Sequence, residues 1–311
     1  MLKPSSAPLH QVHDAALLDL DGVLYLGTDP VAHAAESVAA ARAGGMHAAF
    51  VTNNSSRRAA AVAGHLSELG IPAWPDDVIT SSQAVVGLLT RELPTGARVL
   101  VVGSDGLADE LAEGGFEPVR SADGAVAVVQ GLEPRTAWTD LAEAAVAIEA
   151  GALWVAGNTD STFPSPRGLL PGNGAMVQAL THTTGKRPVV VGKPEPELFR
   201  ASVARVGALR PLVVGDRLDT DIMGANRAGL PSLLVLTGVA TREQLLAAPP
   251  EQRPTYVSSD LRGLVSPHPD VVIEGDTASC GSATAGPDGA SDDSDDALRA
   301  RCALAWLRSG S

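Results

Sequence analysis

Two aspartates one residue apart, Asp19 and Asp21, close the apolar run Ala15-Ala16-Leu17-Leu18 and are followed by Gly22. Apolar runs of this length bounded by turn residues read as buried strands. Both carboxylates then lie where a strand gives way to a loop, and in extended backbone residues i and i+2 face the same way. Two carboxylates sharing one small volume repel each other, so the pair asks for a cation. Three more stretches fall at the ends of predicted strands: Thr52-Asn53-Asn54, Gly192-Lys193-Pro194 and Gly215-Asp216. Each has an ordinary reading alone. An Asp-Gly pair makes turns, a threonine caps helices, and a lysine near a helix start is usually solvated. Together the four stretches hold the groups that one reaction needs, phosphoryl transfer to an aspartate.

A carboxylate nucleophile forms an acyl phosphate and splits a difficult hydrolysis into two easier steps. Its negative charge repels a phosphoryl group, so a divalent cation must lie between them. Mg2+ suits an all-oxygen site, because it binds through few carboxylates and keeps several waters. Lys193 offers a point charge to the phosphoryl oxygens. The Thr52 hydroxyl, with backbone N–H groups around Asn53 and Asn54, completes a cradle. Asp19 is assigned as nucleophile and metal ligand, and Asp21 as the acid and base that serves the leaving alkoxide. A calcium loop of the EF-hand kind is excluded, because Val23 and Leu24 occupy its required oxygen-ligand and glycine positions.

These residues also carry a resemblance. Asp19-Leu20-Asp21-Gly22-Val23-Leu24-Tyr25, Val51-Thr52-Asn53-Asn54-Ser55-Ser56-Arg57, Gly192-Lys193-Pro194 and Gly215-Asp216-Arg217-Leu218-Asp219-Thr220-Asp221-Ile222 resemble the four motifs of the haloacid dehalogenase superfamily. More narrowly they resemble its subclass IIA phosphatases, over about Ala16 to Gly263. The resemblance implies Mg2+ held by Asp19, the backbone carbonyl of Asp21, and Asp216. It implies phosphate on Thr52, Asn53 and Lys193, with Asp221 steadying metal-bound waters or Lys193. Asp219 is read as a helix cap. The texture of residues 151–156 and 168–174 is most similar to actinobacterial glycerol-phosphate phosphatases, which makes sn-glycerol 3-phosphate the first expected substrate. Phosphoglycolate, pyridoxal phosphate, nucleotide and sugar phosphates are the alternatives.

The elements that must position these residues alternate. A helix is expected over Pro30 to Ala43, a strand from His47 to Val51, and a helix from Arg57 to Leu69. This order makes a parallel sheet with right-handed crossovers the default, an α/β fold with a Rossmann-like core. Between Thr52 and Lys193 there is room for a whole second α/β unit, so an inserted cap follows the second motif. The expected division is residues 1–82 and 188–265 for the core, with the strand pattern resuming at Val189, and 83–187 for an α/β cap. Within the cap, Asn158 to Gly168 is the stretch expected to overhang the site, with Asp160, Thr162 and Arg167 as candidate contacts to the leaving group. Residues 266–311 are expected to form an acidic, mostly disordered tail, because Gly275 to Asp296 is rich in Gly, Ser, Ala, Thr and Asp. A short helix over Ala297 to Leu307 would place Leu298, Cys302 and Trp306 on one face.

Bulk properties narrow the partners. With Lys+Arg 23 against Asp+Glu 36 the formal net charge is −13, which leaves no basic footprint for nucleic acid or an anionic membrane. An anionic small substrate is still compatible, since salt screens remote charge within about 8–10 Å. The 2 cysteines form no metal or redox spacing, and no apolar leader precedes His13, so a cytoplasmic setting is expected. A small phosphorylated metabolite is the expected partner, and a homodimer stays open. A receiver-like phosphoacceptor or a binding protein on the same fold are the rival classes. Neither requires both Asp19 and Asp21.

Overall fold

In the computed structural model, which describes residues 2–54, 58–165, 168–287 and 289–308, the chain divides into two compact units. The first comprises Met1–Val51, Ala63–Asp77 and Ser202–Ser311, and the second Thr52–Val62 and Val78–Ala201.

In the first unit five strands lie side by side in the order Tyr256–Ser258, Ser232–Val235, Pro211–Gly215, Ala15–Leu18 and His47–Thr52. All four pairings are parallel. Parallel strands covered on both faces read as unbroken apolar runs. Ala15–Leu18 and Pro211–Gly215 are buried at every position for that reason. Ala15–Leu18 pairs with strands on either side, matching Leu18 to Val214 and to Phe50. The ladder runs one residue further, where Asp19 N–H donates to the Val214 carbonyl at 2.8 Å. Gly44 stops the helix Ala34–Ala43, as expected.

The second unit has its own parallel sheet, ordered Val189–Val190, Leu153–Ala156, Ala127–Gln130, Arg98–Val102 and Glu117–Val119. Val189–Val190 therefore does not resume the first sheet as expected. It is an edge strand that pairs with Val155 and Ala156. A two-residue apolar pair fits either sheet, and the short connection from the preceding helix, Asn173–Thr184, decides for the nearer one. The helix Ser81–Glu92 carries a local signal at its start. Thr80 accepts from the Gln83 N–H while Gln83 returns a bond to the Thr80 N–H, a capping box written as Thr80-Ser81-Ser82-Gln83. The stretch Thr162–Ser165 and Gly168–Pro171 forms an antiparallel hairpin.

The expected disordered tail is an ordered antiparallel sheet of Val271–Glu274, Thr277–Cys280, Ala283–Gly286 and Gly289–Ala290, followed by the helix Asp295–Arg308. Composition misleads here because the inward side chains are small. Ala278, Cys280, Ala283 and Ala285 are buried and alternate with exposed Thr277, Ser279 and Thr284, a period of two. The first two hairpin loops are two residues long and open with a glycine at positive φ: Gly275 at 62° and Gly281 at 56°. Gly-Asp and Gly-Ser pairs in such places are hairpin signals. The helix closes the sheet from one side with Ala300 and Leu304. Its other face sets Leu298, Cys302 and Trp306 against Leu218, Ile222, Leu234 and Leu245. Trp306 also donates from Nε1 to the Leu245 carbonyl at 3.1 Å.

Two outcomes follow from that packing. Burial pushes the Cys280 thiol up to about 11 and Cys302 up to about 12. Both should therefore resist an aromatic disulfide reagent at pH 8 in the folded protein and react only after denaturation. The same raised values make their contribution to stability full below the unfolded thiol pKa of about 8.5 and lost as pH climbs toward the folded values. Trp306→Ala should cost about 3–5 kcal/mol in urea unfolding, the range for emptying a buried aromatic site.

Candidate active site

Strand geometry brings the acidic groups of the first unit together. Ala15–Leu18 and Pro211–Gly215 are neighbours, and neighbouring strands run about 4.8 Å apart. The residues that leave each strand, Asp19 and Asp216, thus emerge side by side. A third carboxylate arrives from the wide helical turn Leu218–Ile222. Oxygens of Asp19, Asp216 and Asp221 all lie within 4.8 Å of one another. Asp216 and Asp221 are each 1% exposed, and Asp19 is half-buried. Asp21 is exposed, and its side chain stands outside that group. The Asp21-Gly22 turn is closed by a bond from Gly22 N–H to the Tyr25 carbonyl at 2.8 Å.

Three unit charges at this spacing repel by about 3–4 kcal/mol per pair at an effective dielectric of about 20. A donor set made only of carboxylate oxygens fits a hard divalent cation such as Mg2+ and suits no soft metal. The surroundings hold the carboxylates in place for such a group. Val239 N–H donates to Asp216 Oδ2 at 2.7 Å, Ala240 N–H donates to the Asp216 carbonyl at 3.0 Å, and the Thr237 hydroxyl donates to the Gly22 carbonyl at 2.5 Å. Arg217 N–H donates to Asp221 Oδ2 at 3.2 Å. Close approach depends on glycines. A Cβ on Gly22 or Gly238 would strike the Asp216 carboxylate, and one on Gly215 would strike Asp221. Gly22 also has φ 81°, a left-handed conformation that side chains disfavour. Asp219 pairs with Arg217 at 2.9 Å, and no side-chain cap is formed at that turn.

The second unit carries the other predicted residues. Thr52 and Lys193 are buried, at 5% and 3% exposure. Thr52 Oγ1 accepts the Asn54 N–H at 3.1 Å, which shapes the turn after the strand. Asn53 Oδ1 accepts the Lys193 N–H at 2.7 Å, and Asn53 Nδ2 donates to the Lys193 carbonyl at 3.1 Å and to Asp160 Oδ1 at 3.4 Å. Lys193 Nζ lies 5.9 Å from the centre of the Phe199 ring. The segment around Asp160 is pinned from behind. Asn173 Nδ2 donates to the Asn158 carbonyl at 2.7 Å, Gly172 N–H to Ser161 at 3.0 Å, and Gly174 N–H to Asp160 at 2.9 Å. Thr162 is exposed at the start of its hairpin strand, and Arg167 lies outside the described residues.

Sequence reading misses the segment Thr237 to Ala240 altogether, although a Thr-Gly-Val run one residue after the strand Ser232–Val235 is its visible trace. A separate cavity of about 490 Å³, bounded by residues 257–268 and 293–299, has the carboxylates of Asp260, Asp295 and Asp296 engaged already. Asp295 takes bonds from Ser258 and Ser259, Asp260 pairs with Arg262, and Asp296 with Arg299.

The chain is similar to known proteins. A family model described as haloacid dehalogenase-like hydrolase matches residues 16–117, and one described as HAD-hydrolase-like matches residues 190–264. A D-glycerol 3-phosphate phosphatase of Mycobacterium tuberculosis is 54% identical over 255 residues, which cover 82% of this chain and 71% of that protein. An acid sugar phosphatase of Staphylococcus haemolyticus is 35% identical over 252 residues, 80% of this chain and 94% of its own. A crystal structure of a glycerol phosphate phosphatase from Mycobacterium tuberculosis in complex with magnesium superimposes with a TM-score of 0.86 at 47% identity, covering 97% of this chain and 92% of that one. Among the described residues no helix is long and apolar enough to cross a membrane.

The carboxylate cluster makes one measurable demand. Gly238→Ala should displace the Asp216 carboxylate and raise the Mg2+ concentration needed for half-maximal activity by roughly 10–100-fold, the usual loss when a metal ligand's support is removed. An unchanged Mg2+ requirement would show that the close approach of residue 238 is immaterial.

Proposed function

The chain belongs to the haloacid dehalogenase-like hydrolase family, and from that premise we propose that it is a Mg2+-dependent phosphatase of small phosphate monoesters whose substrate is sn-glycerol 3-phosphate. The observation that carries the reading is the meeting of Asp19, Asp216 and Asp221 at the ends of adjacent strands. Asp19 and Asp216 would hold Mg2+ with the Asp21 carbonyl, and Asp221 lies near enough to act directly or through water. When bound, the ion would offset the repulsion between the Asp19 carboxylate and the phosphoryl oxygens.

Asp19 then attacks phosphorus through a carboxylate oxygen, and the ester P–O bond breaks. Asp21, exposed and outside the carboxylate cluster, gives its proton to the departing alkoxide. Water next attacks the phosphorus of the aspartyl phosphate, Asp21 takes a proton from that water, and inorganic phosphate leaves Asp19 as a free carboxylate. Both steps balance in protons, and Asp21 returns to its starting state.

Thr52, Asn53, Asn54 and Lys193 are proposed to bind phosphoryl oxygens; the motif match and the burial of Thr52 and Lys193 support this. Asp160, Thr162 and Arg167 are proposed to contact the leaving group. The glycerol phosphate reading draws on the relative at 54% identity, and a sugar phosphate is the second reading because of the relative at 35%. A cytoplasmic setting is consistent with two free buried cysteines.

Phosphate release from sn-glycerol 3-phosphate should require Mg2+, stop with EDTA, and vanish in Asp19→Asn. Asp21→Asn should lower kcat by about 10²–10⁴-fold, the span of general acid–base catalysis. Release that survives EDTA or Asp19→Asn would defeat the mechanism. Across a panel of phosphate esters, a higher kcat/KM for a sugar phosphate would move the substrate assignment alone.

A further inference from the structure

We propose that the Asn53 side chain is a positioning residue, which fixes the Lys193 peptide and ties it to Asp160 rather than touching phosphate itself. The inference rests on the reading of Lys193 as a phosphoryl-binding group. Its support is the hydrogen-bond inventory of one amide. Asn53 Oδ1 accepts the Lys193 N–H at 2.7 Å while Nδ2 donates to the Lys193 carbonyl at 3.1 Å. These are the two bonds that a neighbouring strand would supply, delivered here by a side chain from a residue far away in sequence. Their polarity also fixes which end of the amide is oxygen, since an N–H must face Oδ1 and a carbonyl must face Nδ2.

An amide nitrogen has two hydrogens, and the second goes to Asp160 Oδ1 at 3.4 Å. With both hydrogens committed, the side chain has no donor left for a phosphoryl oxygen. Any phosphate contact at position 53 falls to its backbone. That backbone is anchored too: the Asn53 carbonyl accepts the Ser81 hydroxyl at 2.8 Å and Asn158 Nδ2 at 2.9 Å. Gly192 completes the fit, because a Cβ there would come within 2.7 Å of Asn53 Oδ1.

The consequence is coupling. Lys193 is buried, and holding its peptide at both N–H and carbonyl fixes the direction in which its side chain leaves the backbone. A shift of the segment around Asp160 pulls on the same amide. Asn53 thereby joins the proposed leaving-group contact to the proposed phosphoryl contact through a single side chain.

Asn53→Asp tests this, because it sets an oxygen against both the Lys193 carbonyl and Asp160, and that repulsion drives the side chain off the Lys193 peptide so that the N–H loses its acceptor. Hydrogen exchange at the Lys193 amide should accelerate, and kcat should fall by about 10²-fold, the scale of a misplacement near 1 Å. Adding Asp160→Asn restores a donor between positions 53 and 160 and should slow exchange at the Lys193 amide back toward the wild-type rate. A double variant whose Lys193 amide exchanges as fast as in Asn53→Asp would overturn the proposal. Unchanged exchange at Lys193 would overturn it as well. If the Asn53→Asp chain does not fold, Asn53→Ser takes its place, with faster exchange and slower turnover expected and unchanged exchange contradicting. Exchange is read without substrate, so it separates failure of this clamp from failure of the phosphatase reading, which would show as a wild-type chain with no Mg2+-dependent turnover.

Discussion

Mutual repulsion of like charges is the constraint around which the first unit is built. Asp19, Asp216 and Asp221 bring three carboxylates within 4.8 Å of one another, two of them buried. No fold gains stability from that arrangement unaided. Its cost is met by parallel strands whose apolar residues are buried on both faces, with the acids confined to the point where each strand ends. Backbone N–H groups of Val239 and Arg217 take up part of the negative charge. Glycines at 22, 215 and 238 allow the chain to crowd the carboxylates without side chains of its own. A hard cation such as Mg2+ would complete the balance.

The opening motif was legible because strand geometry is local. An apolar run followed by Asp19 and Asp21 states both the buried strand and the point where its acids emerge, and Gly215-Asp216 states the same again. Other parts depended on partners distant in sequence. Nothing near Asn53 announces that its amide will close on the peptide of Lys193, and nothing near Gly238 announces that it will press on Asp216. Such contacts are decided by which strands become neighbours. The edge strand Val189–Val190 shows the same limit, since two valines fit a sheet without specifying which one.

The C-terminal region failed for a different reason. Composition weighs how much apolar surface a segment can bury, and a stretch of Gly, Ser, Thr and Ala scores low. Alternation and turn chemistry hold the information instead. Ala278, Cys280, Ala283 and Ala285 face one way, and Gly275-Asp276 and Gly281-Ser282 supply the turns. Small inward side chains are what allow the helix Asp295–Arg308 to lie close against the sheet while its other face meets the residues behind Leu218 and Ile222. Those two residues belong to the turn that carries Asp221, so the C-terminal helix packs directly behind a member of the carboxylate cluster.

Calorimetric titration of the chain with Mg2+ in the absence of substrate addresses the carboxylate cluster without reliance on any assumed substrate. One ion should bind per chain, and Asp216→Asn should abolish that binding while leaving the fold intact by circular dichroism. Equal binding by the wild type and Asp216→Asn would contradict the account, because the convergence of acids at the strand ends would then have no cation to explain it.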